Sequence, residues 1–382
     1  MINTLRKNVA NVLGWRTNRK LLIIESDDWG SVQTRDKEAF KNLQREGLNV
    51  ESIHYTAFDS LESNEDLEML FDVLRGVKDK YGNCAKFTPM CIMGNPDFEK
   101  IIENDYKTYF FQPLKDTLKN YPQSDQILNL WSKGAKENIF TPELHGREHI
   151  NARRYLDILK NHKAKLGLRL SAQNHSVGSS SFRGEKYPNY LGALYPETSE
   201  EIGELKTTIR QAGEIFEEYM GYKPRVFMAP NAEEPREMEL VLKQIGVKYL
   251  TRSKRRIYPK GDGRFGKEWN FIGKINQYDQ LILNRNAFFE PVCFGEHEHI
   301  SNWVESCLND IDIAFKWNKP AVVSAHRVNF TGSIDPSNRD RGLSALQELL
   351  NRVVQNWPNV EFMTSAELGD TIRKDKEKRK YT

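Results

Sequence analysis

Leu21-Leu22-Ile23-Ile24 runs directly into Glu25-Ser26-Asp27-Asp28-Trp29-Gly30. Four apolar residues in a row, too few for a helix and bounded by polar ones, read as a strand buried on both faces, the kind that parallel sheets use. Parallel α/β sheets build their sites where the strands end, so the two adjacent carboxylates stand where a site is expected. On extended backbone neighbouring side chains point to opposite sides. Two acids in succession can then take different work, one holding a cation while the other handles a proton. The plain alternative is an Asp pair that only shapes a loop or caps a helix.

The same coupling of an apolar run to an amphipathic stretch recurs along the chain. A polar helix-like stretch starts at Asp36; Ile139-Phe140 precedes Ile150 to Leu159; Leu166 to Leu170 is a further run; Val226 to Ala229 precedes Met238 to Ile245; Val247 to Leu250 follows; Ala321 to Ala325 precedes Leu343 to Val354; and Val360 to Met363 closes the series. Such alternation predicts an α/β fold with a parallel sheet, and seven or eight βα units close a distorted (β/α)7-8 barrel. An open doubly wound sheet is the rival. No Gly/Ser linker, Pro-rich spacer or repeat divides the chain, so residues 1–382 are read as one domain. Three long loop insertions are expected, at Gln33 to Asn83, Gln173 to Glu200 and Ser253 to Glu298, where chain of this kind closes over a site.

Composition narrows the function classes. Of 382 residues, 38% are hydrophobic and 29% charged, enough for a large core and against a disordered regulator. Fifty-six Lys and Arg against 53 Asp and Glu leave a formal charge of +3, too even for a nucleic-acid footprint. Cys84, Cys91, Cys293 and Cys307 are widely spaced with no CxxC pair, which suggests neither a zinc knuckle nor a disulfide framework and fits a reducing compartment. Leu21 to Ile24 is too short for a signal-peptide core or a bilayer span. A cytoplasmic protein without a transmembrane segment is expected.

Three more strand ends carry chemistry. In Pro142-Glu143-Leu144-His145-Gly146-Arg147-Glu148-His149 two histidines lie four apart, on one face if the segment is helical. Two imidazoles and one carboxylate suffice for the open, three-ligand arrangement of a catalytic zinc. Pro224-Arg225-Val226-Phe227-Met228-Ala229-Pro230-Asn231 is a strand ending in a Pro-containing turn that offers backbone N–H groups at the rim. Ala321 to Ala325 delivers His326, a group able to hand a proton to a leaving group, followed by Arg327, Asn329, Asp335, Asn338 and Arg339, all able to grip a substrate.

Weaker candidates remain. Trp29 can stack on a sugar ring or simply pack under a loop. His175 follows the run at Leu166 to Leu170 and is placed at the rim. Arg252 to Arg256 can seat a phosphate or carboxylate, or be a solvated loop. Glu296-His297-Glu298-His299 is a candidate second metal site or a polar loop, His54 and His162 read as exposed, and Arg373 to Lys380 as a solvated helix end.

Taken in order, these motifs resemble the polysaccharide deacetylase superfamily, the NodB-homology or carbohydrate esterase family 4 group. Asp27-Asp28 is similar to its opening acid pair, His145-x-x-x-His149 to its histidine motif, Arg225 to Asn231 to its Arg/Pro strand, His326 to its late histidine, and Val360 to Leu368 to its final strand and helix. The resemblance implies a distorted barrel of the polysaccharide deacetylase type and a metal-dependent hydrolase that removes acetyl groups, N-acetyl foremost, from an amino sugar, oligosaccharide or saccharide biosynthetic intermediate. It implies a divalent metal held by Asp28, His145 and His149, zinc foremost, with cobalt, manganese or nickel as alternatives. Asp27 would be the catalytic base and His326 the catalytic acid, with Trp29, Arg225, Pro230, Asn231, His175 and Arg327 toward a carbohydrate substrate. Gly146 stands where the family has Ser or Thr. Met228 and Asn231 depart from its third motif, whose Arg orients the catalytic Asp, and its Asp-containing fourth motif has no counterpart between Val247 and Phe294. These departures motivate a second expectation, a catalytically inactive carbohydrate-binding or scaffold protein on the same barrel. A third is a metal-dependent amidohydrolase acting on a non-sugar amide.

Overall fold

The computed structural model describes residues 8, 11–178, 181–293 and 302–379. Its centre is strand β1 (Lys20–Trp29), which is buried along almost its whole length. Further parallel strands follow in chain order: β2 (Thr88–Ile92), β3 (Glu143–Gly146), β4 (Val226–Phe227), β5 (Tyr249–Thr251), β6 (Leu281–Leu283), β7 (Ala287–Phe288), β8 (Ala321–His326) and β9 (Val360–Phe362). β8 lies along one edge of β1, in register from Leu22↔Ala321 to Asp27↔His326. The other edge is shared, β9 taking its beginning and β2 its end.

From β2 the order runs β3, β4, β5, β6, and from β8 it runs to β7. These two outermost strands are consecutive in the chain, separated only by residues 284–286. The sheet therefore curls until its ends meet in one stretch, β6 pairing with β5 and β7 with β8. Two asparagines stitch this seam. Asn284 Nδ2 donates to the Arg252 carbonyl at 2.6 Å, and Asn286 Oδ1 accepts from the Val322 N–H at 2.8 Å. The distorted (β/α)7-8 barrel expected from the alternation is the observed fold, and the open doubly wound sheet is not.

Alternate residues of the strands face two cores, as period-2 geometry requires. Leu21 and Ile23 join Met90, Val226, Leu281 and Val322 inside the ring. Leu22 and Ile24 join the larger cluster beneath the helices. Helix α1 (Asn64–Gly76) starts on a reciprocal Ser63–Asp66 capping box, and α2 (Pro336–Asn356) on Asp335 with proline in its first turn. A second capping box, Thr364–Glu367, opens α3 (Ser365–Lys378), whose Ala366, Leu368 and Ile372 join the inner cluster. The run at Leu166 to Leu170 is not a strand but part of a helix, Lys165–Gln173. Gly167, Leu168, Ser171 and Ala172 are buried while polar Lys165, Arg169 and Gln173 turn outward, a period nearer 3.6 than 2. Ile139-Phe140 contributes only an isolated bridge to Phe87, the strand proper beginning at Glu143. Among the described residues no helix is long and apolar enough to cross a membrane.

Candidate functional site

At its end β1 leaves regular extension. Its register against β2 shifts between Ser26 and Trp29, and Asp28 adopts φ +78°, a left-handed conformation that costs a non-glycine residue on the order of 1 kcal/mol or more. The distortion changes the outcome expected for the acid pair. Simple alternation separates the two side chains, whereas here Asp27 and Asp28 line the same cleft, a cavity of about 1110 Å³. Trp29 anchors the kink from below. It is fully buried, donates its indole N–H to Ser26 Oγ at 3.0 Å, and meets Phe87 and Phe140 edge-on. Of the two parts expected for it, packing under the loop is the one it takes.

His145 and His149 also converge, though not on a helix. His145 belongs to β3, His149 follows in an irregular turn, and the rings stand 5.3 Å apart. Between them Gly146 takes φ +141°, where side chains are rarely accommodated, which accounts for glycine in place of Ser or Thr. His145 Nδ1 lies 2.7 Å from the Met228 carbonyl. A carbonyl only accepts, so Nδ1 carries the proton and Nε2 presents its lone pair. That Nε2 is 3.5 Å from Asp28 Oδ1, and the His149 Nε2 is 3.1 Å from the same oxygen.

Asp28 Oδ1 is buried yet accepts no well-formed hydrogen bond. One carboxylate oxygen and two ring nitrogens, all within 4.8 Å of one another, thus face a common point. The donor set, the unsatisfied oxygen and the backbone-fixed tautomer of His145 fit a zinc-type cation.

Across the cleft the other acid is clamped separately. Arg285 sends Nη1 to Asp27 Oδ2 at 2.7 Å and Nη2 to Oδ1 at 2.5 Å, while its Nε reaches Glu25 at 2.7 Å. Burial alone would raise the Asp27 pKa, but the guanidinium outweighs it and holds the carboxyl below its ordinary value. His326 Nε2 stands 3.7 Å from Asp27, and its Nδ1 lies 2.6 Å from Glu290 Oε1. Glu290 Oε2 accepts from Asn329 Nδ2 at 2.7 Å. Burial would lower the imidazole's pKa, yet Glu290 overrides it and pushes it up to about 10. An arginine and an acid thus stand beside Asp27 and His326, supplied by the barrel seam and the residues just after it. A signal existed: Asn284-Arg285-Asn286 follows the apolar run Leu281-Ile282-Leu283, the same strand-end pattern that marks the other motifs.

Of the remaining expected site residues only Asn231 lines the cleft, at φ +54° just after β4. Pro230 is buried beside Gly146 rather than exposed to the cleft. Arg225 lies at the start of β4, away from the cleft, where it pairs with Asp370. His175 follows a helix rather than a strand, one residue past its Asn174 C-cap, and packs near Phe98 in a separate recess. Arg327 is completely buried, bonded to Asp59, Glu62 and the Ser31 carbonyl, so it supports the cleft floor and cannot touch a substrate. Arg252 is likewise consumed internally by Glu234 and Glu239. Asn338 and Arg339 bond within the fold, and His54 is buried with Nδ1 3.4 Å from Cys293 Sγ. Glu296 to His299 lie outside the described residues.

No family model and no curated protein matches the chain. Among solved structures it is similar to a Mycobacterium smegmatis protein named provisionally as a polysaccharide deacetylase, with 11% identity, 95% of this chain and 94% of that one covered, and a TM-score of 0.45. It is also similar to the peptidoglycan deacetylase PdaC from Bacillus subtilis, with 10% identity, 95% and 96% coverage, and a TM-score of 0.36. A third is the 4-alpha-glucanotransferase from Thermococcus litoralis, with 10% identity, 91% and 40% coverage, and a TM-score of 0.45. The chemistry rests on the residues of this chain alone.

Proposed function

We propose that this chain is a metal-dependent hydrolase that removes acetyl groups, N-acetyl foremost, from a carbohydrate or a saccharide biosynthetic intermediate. One observation carries the reading: a buried, unsatisfied Asp28 Oδ1 faces two histidine Nε2 atoms, with separately clamped Asp27 and His326 beside it. Asp28, His145 and His149 would hold the cation. A zinc-type ion in such a site acidifies water and polarises an acyl carbonyl.

The chain's own groups divide the proton work. Asp27, kept ionised by Arg285, accepts the proton of the attacking water. His326, kept protonated by Glu290, gives a proton to the departing nitrogen, a poor leaving group without it. Asn231 borders the cleft where backbone N–H groups can meet the developing oxyanion. Arg285 paired with Asp27 and Glu290 paired with His326 weigh against the inactive-scaffold reading. The amidohydrolase reading keeps one supporting observation, the apolar side chains Ile53, Leu191 and Phe288 on the cleft wall.

The deciding experiment combines metal analysis with acetate release from a panel of acetylated sugars and small amides. Retained metal in Asp27→Asn with acetate release reduced at least 100-fold is expected. Release that is unaffected by Asp27→Asn, or absent from every acetylated sugar, overturns the proposal.

A further inference from the structure

The charged side chains that line the cleft are almost all committed. Asp27 is held by Arg285, His326 by Glu290, Asp59 by Arg327, and Arg252 by Glu234 and Glu239. Asp28 faces the two imidazoles. Lys186, on the same wall, is exposed to water. Lys254 is different. It lines the cleft just after β5, is half-buried, and has no carboxylate in contact among the described residues. Its charged neighbour is another cation, Lys319, whose ammonium it repels and which is itself held by the carbonyls of Leu13, Gly14 and Trp15.

A half-buried ammonium with no counter-ion is costly to keep charged, and burial pulls the Lys254 pKa down to about 8. An apolar side chain at this position would avoid that cost. A lysine here is therefore an unspent positive charge directed to the cleft, and it suits an oxyanion as a point-charge partner. Beside it the wall is apolar: Ile53, Tyr187, Leu191, Ala229 and Phe288, the last 52% exposed although large and hydrophobic. Such exposure in a cleft is the mark of a surface that a ligand covers.

We infer that the ligand of this cleft carries an anionic group, a phosphate or a carboxylate, seated on Lys254, with its uncharged body against the apolar wall. The inference rests on the hydrolase reading only in calling that ligand the substrate. The Lys254→Met variant replaces the charge with a chain of similar length and removes a desolvation cost, so it folds at least as stably as the wild type.

The test is equilibrium binding by the full chain of N-acetylglucosamine, N-acetylglucosamine 1-phosphate and N-acetylmuramic acid, with acetate release followed separately. Expected is at least tenfold tighter binding of one or both charged sugars at 50 mM salt, a preference that shrinks at 500 mM salt, is erased in Lys254→Met and is kept in Lys254→Arg. Equal affinities for charged and neutral sugars, or a preference that survives in Lys254→Met, overturns the inference. Absence of acetate release from these three and from every acetylated sugar of the wider panel, with the charge preference intact, refutes the hydrolase reading and leaves the anion site standing.

Discussion

Replacing Glu290 with glutamine tests the proton-donor assignment most directly. In the wild type the carboxylate lies 2.6 Å from His326 Nδ1 and holds the imidazole's pKa at about 10. The sign follows from the direction of the shift. A raised pKa keeps His326 protonated through neutral pH, and the donor is lost only as pH rises through about 10. Glutamine keeps a hydrogen-bond acceptor but removes the charge, so the donor is lost nearer the ordinary histidine value of about 6.5. At pH 8 a group with a pKa of about 10 is roughly 99% protonated and one of about 6.5 roughly 3%, a loss of about 30-fold in active donor. At pH 6 the corresponding loss is only about 1.3-fold. Asp27 remains 3.7 Å from Nε2 and preserves part of the shift while burial pulls the other way, so about 30-fold is the order of the effect. The assay is kcat/KM against pH for an N-acetyl sugar and, in parallel, for an aryl acetate whose leaving group needs no proton. The amide profile should lose its alkaline side while the ester profile hardly moves. A defect of equal size at pH 6 and pH 8, or one shared by the ester, would refute the reasoning and assign Glu290 a purely structural part.

Two further outcomes follow from the same geometry. Arg285→Met strands Glu25 and Asp27, both less than 5% exposed, without their counter-ion and should cost about 3–5 kcal/mol in urea unfolding. With the guanidinium gone, burial, the largest influence on Asp27, pushes its carboxyl up, so the variant should be more destabilised at pH 8 than at pH 5, and a loss independent of pH would contradict the assignment. Gly342→Ala in α2 gains up to about 1 kcal/mol of helix propensity, but its Cβ would stand 1.6 Å from the Asn329 carbonyl oxygen, a backbone clash that outweighs it. A lower urea midpoint is expected, with reduced turnover because Asn329 holds Glu290. A stabilised variant would sink this account.

Much of the architecture was legible because it rests on local pattern. Leu21 to Ile24 is an unbroken apolar run and Ala321 to Ala325 one interrupted only by Ser324, and each belongs to a central barrel strand with site candidates at its end. The rule that parallel strands end at sites placed Asp27, Asp28, His145, His149, Asn231 and His326 correctly around one cleft. It failed for His175, whose preceding apolar run has helical spacing; Arg225, taken from the resemblance alone, lies at the start of its strand, away from the cleft. Trp29 and Arg327 have their directions set by something the sequence does not show. Both adjoin site residues in the chain, but adjacency says nothing about direction, and each turns inward to support its neighbour. Thr88 to Ile92 was missed because proline and cysteine break the usual strand composition. The seam was missed because three-residue and two-residue strands fall below what periodicity can resolve, and the contacts of Arg285 span more than 250 residues of chain.

That seam ties competence to completeness. A nascent chain that has emerged only as far as Thr251 already possesses the acid pair and both members of the histidine pair, yet nothing disciplines Asp27 and no proton donor exists. Arg285, Glu290 and His326 arrive together with the last rungs that let the ring shut. On the proposed roles, truncated or half-assembled molecules are expected to be chemically silent, and a lesion that springs the ring open is expected to disarm it.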